Sequence, residues 1–371
     1  SKKYCDPKRG ADPADELSSY NMACTSTSAT APPDRVLVTG ISGFLGCHVA
    51  AALANAGYAV RGTVRDHKWD EAIIRAVGAS VDFVVVDLAA GTPEEWMAAV
   101  RGCTMVCHVA SPFYMAEPKD PNDLIVPAVE GTTKVLRACH AAGVKRVALT
   151  SSTAAVSIGH SRNDELFTEN DWSDVEKAGT YAKSKTLAER AAWDCAQELG
   201  LELVVLNPSG IFGPPLLPRV GESGDAVKKM VQGDMPGTFA ISLPMIDVRD
   251  VALAHVRALQ VPQAAGKRYI IHAESRWMQE VVTWLAEGMP EFKPKTKPVP
   301  YAVLWLFALV NKQAAGVKGG WKVMRDYDTT AAKQDLGFTE WRKMDASVVD
   351  MAKAMDQHGL LDASKKRRPT P

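Results

Sequence analysis

Tyr181 and Lys185 are the residues of this chain whose types and spacing most directly suggest chemistry. They lie in Gly179-Thr180-Tyr181-Ala182-Lys183-Ser184-Lys185-Thr186-Leu187-Ala188-Glu189-Arg190, a stretch of helical character. Residues four apart on a helix share a face, so the phenol and the ammonium are expected side by side. A free phenol titrates near pH ~10, too high to give up a proton readily at neutrality. A neighbouring cation favours the phenolate and lowers that value. A shift of ~2–3 pH units asks for roughly 3–4 kcal/mol, much of which one lysine in a dry site is expected to supply. The pair reads as an acid catalyst with its own pKa regulator. Leu149-Thr150-Ser151-Ser152 adds hydroxyls. It ends a strand-like apolar run, so its side chains emerge at the carboxyl edge of a sheet, where doubly wound folds bind ligands. Strand alternation sends Ser151 and Ser152 to opposite faces, and each is a candidate to hydrogen-bond an oxygen that gains negative charge.

The elements that must position these groups begin at Arg35-Val36-Leu37-Val38-Thr39, a short β-branched apolar run. Gly40-Ile41-Ser42-Gly43-Phe44-Leu45-Gly46 follows at once. Then come an Ala-rich helical stretch from Cys47 to Ala56, Gly57, and a second strand-like run, Tyr58-Ala59-Val60-Arg61-Gly62-Thr63-Val64. Strand, glycine turn, helix, strand is the context a dinucleotide fingerprint requires. Gly40 permits the tight turn, Gly43 lets backbone approach a pyrophosphate, and Gly46 lets the helix pack closely on the sheet. The helix N-terminus offers unpaired N–H groups and a positive dipole end to the phosphates. The end of the second strand bears on the cofactor's phosphate state. An NAD-binding protein usually places an acidic residue there for the ribose 2′-hydroxyl. Here Arg65 comes first, with Asp66 behind it. A guanidinium clasps a 2′-phosphate by two hydrogen bonds, where a carboxylate would repel it. NADP(H) is therefore favoured, with Lys68 assisting. In the opposite reading Asp66 faces the ribose, Arg65 points to solvent, and the cofactor is NAD(H).

Thr39-Gly40-x-x-Gly43-x-x-Gly46 with Tyr181-x-x-x-Lys185 resembles the short-chain dehydrogenase/reductase superfamily, in its extended branch. Within that branch, Val60-Arg61-Gly62-Thr63-Val64-Arg65-Asp66, His108-Val109-Ala110-Ser111-Pro112-Phe113 and Leu206-Asn207-Pro208-Ser209-Gly210-Ile211-Phe212-Gly213-Pro214 resemble one group. It holds the dihydroflavonol, cinnamoyl-CoA and aldehyde/methylglyoxal reductases. The resemblance runs from about Asp34 to about Leu361. It implies a Rossmann-type doubly wound parallel sheet with a smaller, partly interleaved C-terminal substrate lobe. It also implies carbonyl reduction by hydride transfer from a nicotinamide, with Tyr181 giving the proton, Ser152 as the functional serine, and Lys185 lowering the tyrosine pKa and binding the ribose. By the same resemblance Thr39, Ser42, Phe44 and Leu45 belong with the glycines at the cofactor. Asp87 and Leu88 sit at the adenine, and Val109, Ala110 and Ser111 along the cofactor. Asn207 and Pro208 flank the nicotinamide. Pro112, Phe113, Tyr114, Ile211, Phe212, Met235 and Met245 are candidates to line a pocket for a small or medium, largely apolar ketone or aldehyde.

Two relatives by fold are rival enzymes, a 3β-hydroxysteroid-type dehydrogenase and a sugar-nucleotide epimerase or dehydratase. The apolar Ile211-Phe212-Gly213-Pro214-Pro215-Leu216-Leu217 argues against the latter. A nucleotide-binding accessory subunit of a larger assembly is a reading of another class. The intact Ser152, Tyr181 and Lys185 count against it.

Of the 371 residues, 46% are hydrophobic, enough for a large core, and 43 basic residues balance 43 acidic ones, so nothing favours nucleic acid. Cys103-x-x-x-Cys107-His108 lies in a strand-like run without a second ligand pair, so it reads as buried core rather than metal site. Strand-like runs near 35–39, 58–64, 81–87, 103–109, 146–150 and 202–207 alternate with helical stretches near 44–56, 68–77, 93–101, 121–142 and 180–199. The expected organisation is a polar extension over 1–33, a dinucleotide-binding domain over 34–210, a substrate lobe over 211–361 that returns to the sheet near 245–272, and a basic tail over 362–371. Met22 is a plausible natural start, and a cytoplasmic or, after loss of a transit peptide, organellar location is expected. No segment reaches the ~18–20 apolar residues of a membrane span. Tyr301 to Val310 is apolar but short, and is expected to be a buried helix or part of a substrate-side lid. The helices near 121–142 and 180–199 are expected side by side, leaving a monomer or a homodimer through that pair.

Overall fold

A computed structural model of the chain describes residues 34–112, 118–160, 166–308 and 320–366. Its centre is a seven-stranded sheet, built from β1 (Arg35–Thr39), β2 (Ala59–Val64), β3 (Val81–Val85), β4 (Met105–His108), β5 (Arg146–Thr150), β7 (Glu202–Pro208) and β10 (Arg268–Ile271). The spatial order is β10-β7-β5-β4-β1-β2-β3, and every pair is parallel. The order reverses beside β1, so the carboxyl ends of β1 and β4 flank a crevice, the ligand-binding place of open α/β sheets. The strands read as unbroken Val/Leu/Ile runs because both faces are covered. On one face lie α1 (Phe44–Asn55) and α7 (Val248–Gln260); on the other, α3 (Pro93–Val100), α4 (Asn122–Ala141) and α5 (Thr180–Leu199). α2 (Asp70–Val77) packs beside α1. Fully buried Val36, Val38, Ala50 and Leu53 join sheet to helix on the first face; Leu37, Val106, Val135 and Leu136 do so on the second.

After β7 the chain leaves the sheet. β8 (Gly210–Phe212), β9 (Ser242–Asp247) and β11 (Glu274–Trp277) form a separate sheet of order β11-β9-β8. With α6 (Glu222–Val231), α8 (Met278–Gly288) and α11 (Met344–Gln357) it encloses a second core of Val227, Met230, Val281, Leu285, Val348 and Met351. The interleaving expected from the sequence is present: α7 and β10 return to the large sheet from within this smaller lobe. β6 (Leu166–Phe167) and β12 (Asp326–Tyr327) make a short parallel pair beside the lobe junction, and α10 (Thr330–Leu336) packs back toward β10.

The apolar run at 301 is not the buried helix that is one of its two expected forms. It forms α9 (Tyr301–Ala308), but among its side chains that the structure describes Leu304 alone is buried, and Tyr301, Val303, Trp305 and Leu306 are exposed. A short helix that is apolar all round cannot hide every face on one support. Leu309 and Val310 lie outside the described residues. Among the described residues no helix is long and apolar enough to cross a membrane. Cys103 and Cys107 are buried free thiols, and His108 beside them is fully buried. Burial pushes the Cys107 thiol far up, as expected of core cysteines.

Candidate active site

The glycine turn builds one end of a cleft of about 1040 Å³ at the carboxyl edge of the sheet. Gly40 adopts φ +67°, a left-handed conformation suited to glycine, and its carbonyl accepts the Gly43 amide at 2.9 Å. A Cβ on Gly46 would stand 2.3 Å from the Gly40 carbonyl oxygen, so only glycine lets α1 start this close to β1. The Gly43 N-cap makes no side-chain hydrogen bond, and the first turn of α1 holds no acidic residue. Its amides are left for an anion, so the cradle fits a dinucleotide pyrophosphate. Ser42, Phe44 and Leu45 line the cleft with the glycines, and Arg65, Asp87, Leu88, Val109, Ala110 and Ser111 continue its wall.

Arg65 faces the cleft and, among the described residues, makes no hydrogen bond or ion pair. Asp66 is outside the wall, its Oδ1 accepting the Lys68 amide at 3.0 Å. Lys68 is also off the wall, with its ammonium 5.3 Å from the Trp69 ring centroid. One Asp87 oxygen caps the following turn, accepting the Ala89 and Ala90 amides at 2.9 and 3.0 Å.

Tyr181 and Lys185 sit on the first two turns of α5 and reach the same cleft from its other side, with Ser152 and Pro208. The Ser152 hydroxyl lies near enough to Tyr181 to favour its phenolate form. Ser152 Oγ also accepts the Ala154 amide at 3.1 Å, which fixes its rotamer. Ser151, its rival, is occupied elsewhere: its hydroxyl donates to Glu189 Oε2 at 2.5 Å.

Burial pushes the Tyr181 phenol up to about 12; Glu222 adds to the rise and the nearby Ser152 hydroxyl opposes it. The lowering expected from Lys185 is therefore not what prevails in the protein alone. Burial also brings the Lys185 ammonium down to about 8, against the pull of Glu189 and Glu222. Both shifts have one physical cause, the protein packed around the two groups, which disfavours whichever form is charged even though Tyr181 stays 39% exposed to the open cleft.

Several expected site residues stand elsewhere. Thr39 is fully buried: its Oγ1 accepts the Val109 and Ala110 amides at 3.0 and 2.9 Å and donates to His108 Nδ1 at 2.8 Å. It ties β1 to β4 rather than facing the cleft. Asn207 is buried behind the wall, its Nδ2 bridging Glu189 Oε2 at 2.7 Å and the Ser152 carbonyl at 3.2 Å. Phe212 and Met245 are buried in the core of the C-terminal lobe, because the side of β8 and β9 they occupy faces its helices, and Met235, from the connection before β9, packs against the same core. Pro112 and Ile211 do line the cleft. Phe113 and Tyr114 lie outside the described residues.

Other residues were missed. Glu189, one turn beyond Lys185 on α5, is buried, pairs with Arg268 at 2.7 Å, and holds Ser151 and Asn207 in place. Its i+4 spacing from Lys185 was the available signal. Glu222, Arg219 and Arg325 enter the cleft from the C-terminal lobe, from coil or element ends that carry no periodic signal.

Residues 36–271 match the NAD dependent epimerase/dehydratase family. The chain belongs to that family. It falls in the extended short-chain dehydrogenase/reductase branch, with the cinnamoyl-CoA and aldehyde reductase-like group, and is an NAD(P)-dependent oxidoreductase. Cinnamoyl-CoA reductase 1 of Arabidopsis thaliana is 34% identical over 313 residues, 81% of this chain and 90% of that protein. Yeast methylglyoxal/isovaleraldehyde reductase Gre2, solved with NADPH, superposes with a TM-score of 0.73 at 27% identity, over 88% of this chain and 99% of that one. Vestitone reductase from alfalfa (Medicago sativa L.) gives 0.69 at 27% identity, over 88% and 99%.

Proposed function

We propose that this family member reduces a ketone or aldehyde carbonyl with NADPH, and that Tyr181 is its proton donor. What carries the reading is one juxtaposition: Ser152, Tyr181 and Lys185 line the same cleft as the glycine cradle and Arg65. Gly40, Gly43 and the first amides of α1 hold the pyrophosphate, and Arg65 meets the 2′-phosphate. The bound cofactor supplies a hydride. Ser152 and Tyr181 orient the carbonyl oxygen by hydrogen bonds. A phenol near 12 stays protonated at neutral pH, so Tyr181 always has a proton to give. Charge then develops on the phenolate, and the Lys185 cation beside it stabilises that charge. Glu189 keeps Ser151, Asn207 and the Ser152 backbone from drifting, which matters because a misplacement of about 1 Å is costly in catalysis.

The substrate reading narrows as well. Ile158, Ile211 and Pro244 offer apolar wall, while Arg325 offers hydrogen bonds. The cleft suits a carbonyl compound with an apolar body and a polar acceptor group, rather than a wholly apolar one. NADPH consumption by the purified chain over a panel of aldehydes, ketones and acyl thioesters tests the reading. Turnover with recovery of the alcohol, or of the aldehyde from a thioester, is expected. Tight NADPH retention without turnover on any member would overturn it in favour of a structural nucleotide-binding role.

A further inference from the structure

Arg219 belongs to the C-terminal lobe, three residues before α6, yet its side chain crosses to the cofactor end of the cleft. Its Nη1 donates to the Ser42 hydroxyl in the glycine turn at 3.2 Å. Its guanidinium stands 5.7 Å from the Trp69 ring centroid, the same ring that Lys68 approaches at 5.3 Å. Arg65 and Arg219 both line the cleft there. They are near enough that Arg65, after burial, holds the Arg219 pKa below its usual value, with Asp66 pulling the other way. Among the described residues neither guanidinium forms an ion pair. Gathering like charges without a counterion is unfavourable unless a ligand supplies the opposite charge. Guanidinium forks suit phosphate oxygens, and an aromatic ring beneath one restricts its orientation.

We propose that Arg219 is a second reader of the cofactor's 2′-phosphate, which is gripped between Arg65 of the sheet lobe and Arg219 of the C-terminal lobe. The inference rests on the reading that Arg65 meets that phosphate. It makes the 2′-phosphate a tie between the lobes: NADPH draws the segment before α6 onto the glycine turn, and NADH lacks the group that does so.

Calorimetric titration of the full chain with adenosine 2′,5′-bisphosphate and with 5′-AMP isolates the 2′-phosphate. Arg219→Ala is expected to weaken the bisphosphate by about tenfold or more, the usual cost of a charge-assisted contact, while 5′-AMP affinity changes less than about twofold. Arg219→Lys keeps the charge but not the fork and should fall between. Equal losses for both ligands would place Arg219 at the 5′-phosphate or pyrophosphate and overturn the proposal, as would no loss at all. Arg219→Gln keeps a donor for Ser42; if Arg219→Ala melts early, the glutamine variant must still lose bisphosphate affinity selectively. Arg65→Ala separates the two readings. Selective loss in that variant but not in Arg219→Ala sinks this inference alone. The reverse sinks the role of Arg65 and leaves Arg219.

Discussion

At the scale of single residues, the protein packed around Tyr181 and Lys185 shifts both groups against their charged forms, opposite for Tyr181 to what the charge pair in its spacing advertises. Tyr-x-x-x-Lys was legible because a helix brings residues four apart together, but the sign of the tyrosine shift was not. The recess around Tyr181 is made by residues remote in sequence, and Glu222 arrives from the other lobe. Lys185 is the group that titrates near neutrality. It is charged below about 8 and neutral above it, because burial disfavours the ammonium. A reaction that leans on that cation should lose kcat/KM as pH rises through about 8. Arginine stays protonated over this range, so Lys185→Arg, where it retains turnover, should carry the basic limb to higher pH. Glu222 raises the pKa of both Lys185 and Tyr181. Glu222→Gln should therefore move the basic limb to lower pH. A pH–rate profile unchanged in both variants would remove Lys185 as the titrating group.

Among the elements, the strand–turn–helix at the N-terminal edge was the most readable part, since each glycine answers a backbone requirement visible in sequence order. Gly46→Ala tests it: the new methyl meets backbone, not a flexible side chain, at 2.3 Å from the Gly40 oxygen. That variant should lower the melting temperature and weaken NADPH binding at least tenfold, as strain at a packed turn costs on the order of 1–3 kcal/mol. Normal melting with normal NADPH affinity would show that the turn relaxes freely. The six expected strands of the large sheet were located to within two residues at each end, but the faces of their ends were not. Thr39 and Asn207 end buried strands whose neighbours turn them inward, toward His108 and Glu189. Phe212 and Met245 point into a core that exists only because α6, α8 and α11 pack there. Such inward or outward choices depend on which tertiary layer covers a strand end, and alternation alone does not name the layer.

Across the whole molecule, the two lobes share the cleft: the sheet lobe supplies the cradle and the tyrosine helix, the smaller lobe Arg219, Glu222 and Arg325. The expected dimer face gains little support. α4 and α5 do lie side by side, but an exposed, two-bond Arg137–Glu198 pair spans them, both contacts at 3.0 Å. Among the described residues of these helices, Val126 is the one large aliphatic side chain counted as exposed. A stable interface wants a larger apolar centre. Light scattering at micromolar concentration should therefore give a mass near 40.0 kDa, the mass of one chain. A mass near twice that, falling on dilution, would contradict the monomer.

The central claim is that Tyr181 gives the proton in an NADPH-dependent carbonyl reduction. Its most direct test is kcat of Tyr181→Phe at saturating NADPH, with the cofactor's Kd measured alongside. The substitution removes the hydroxyl and keeps the ring. Turnover should fall by at least ~10² while the Kd changes less than about twofold, because general acid catalysis is typically worth ~10²–10⁴. A variant that turns over within about threefold of the unaltered enzyme would contradict the account.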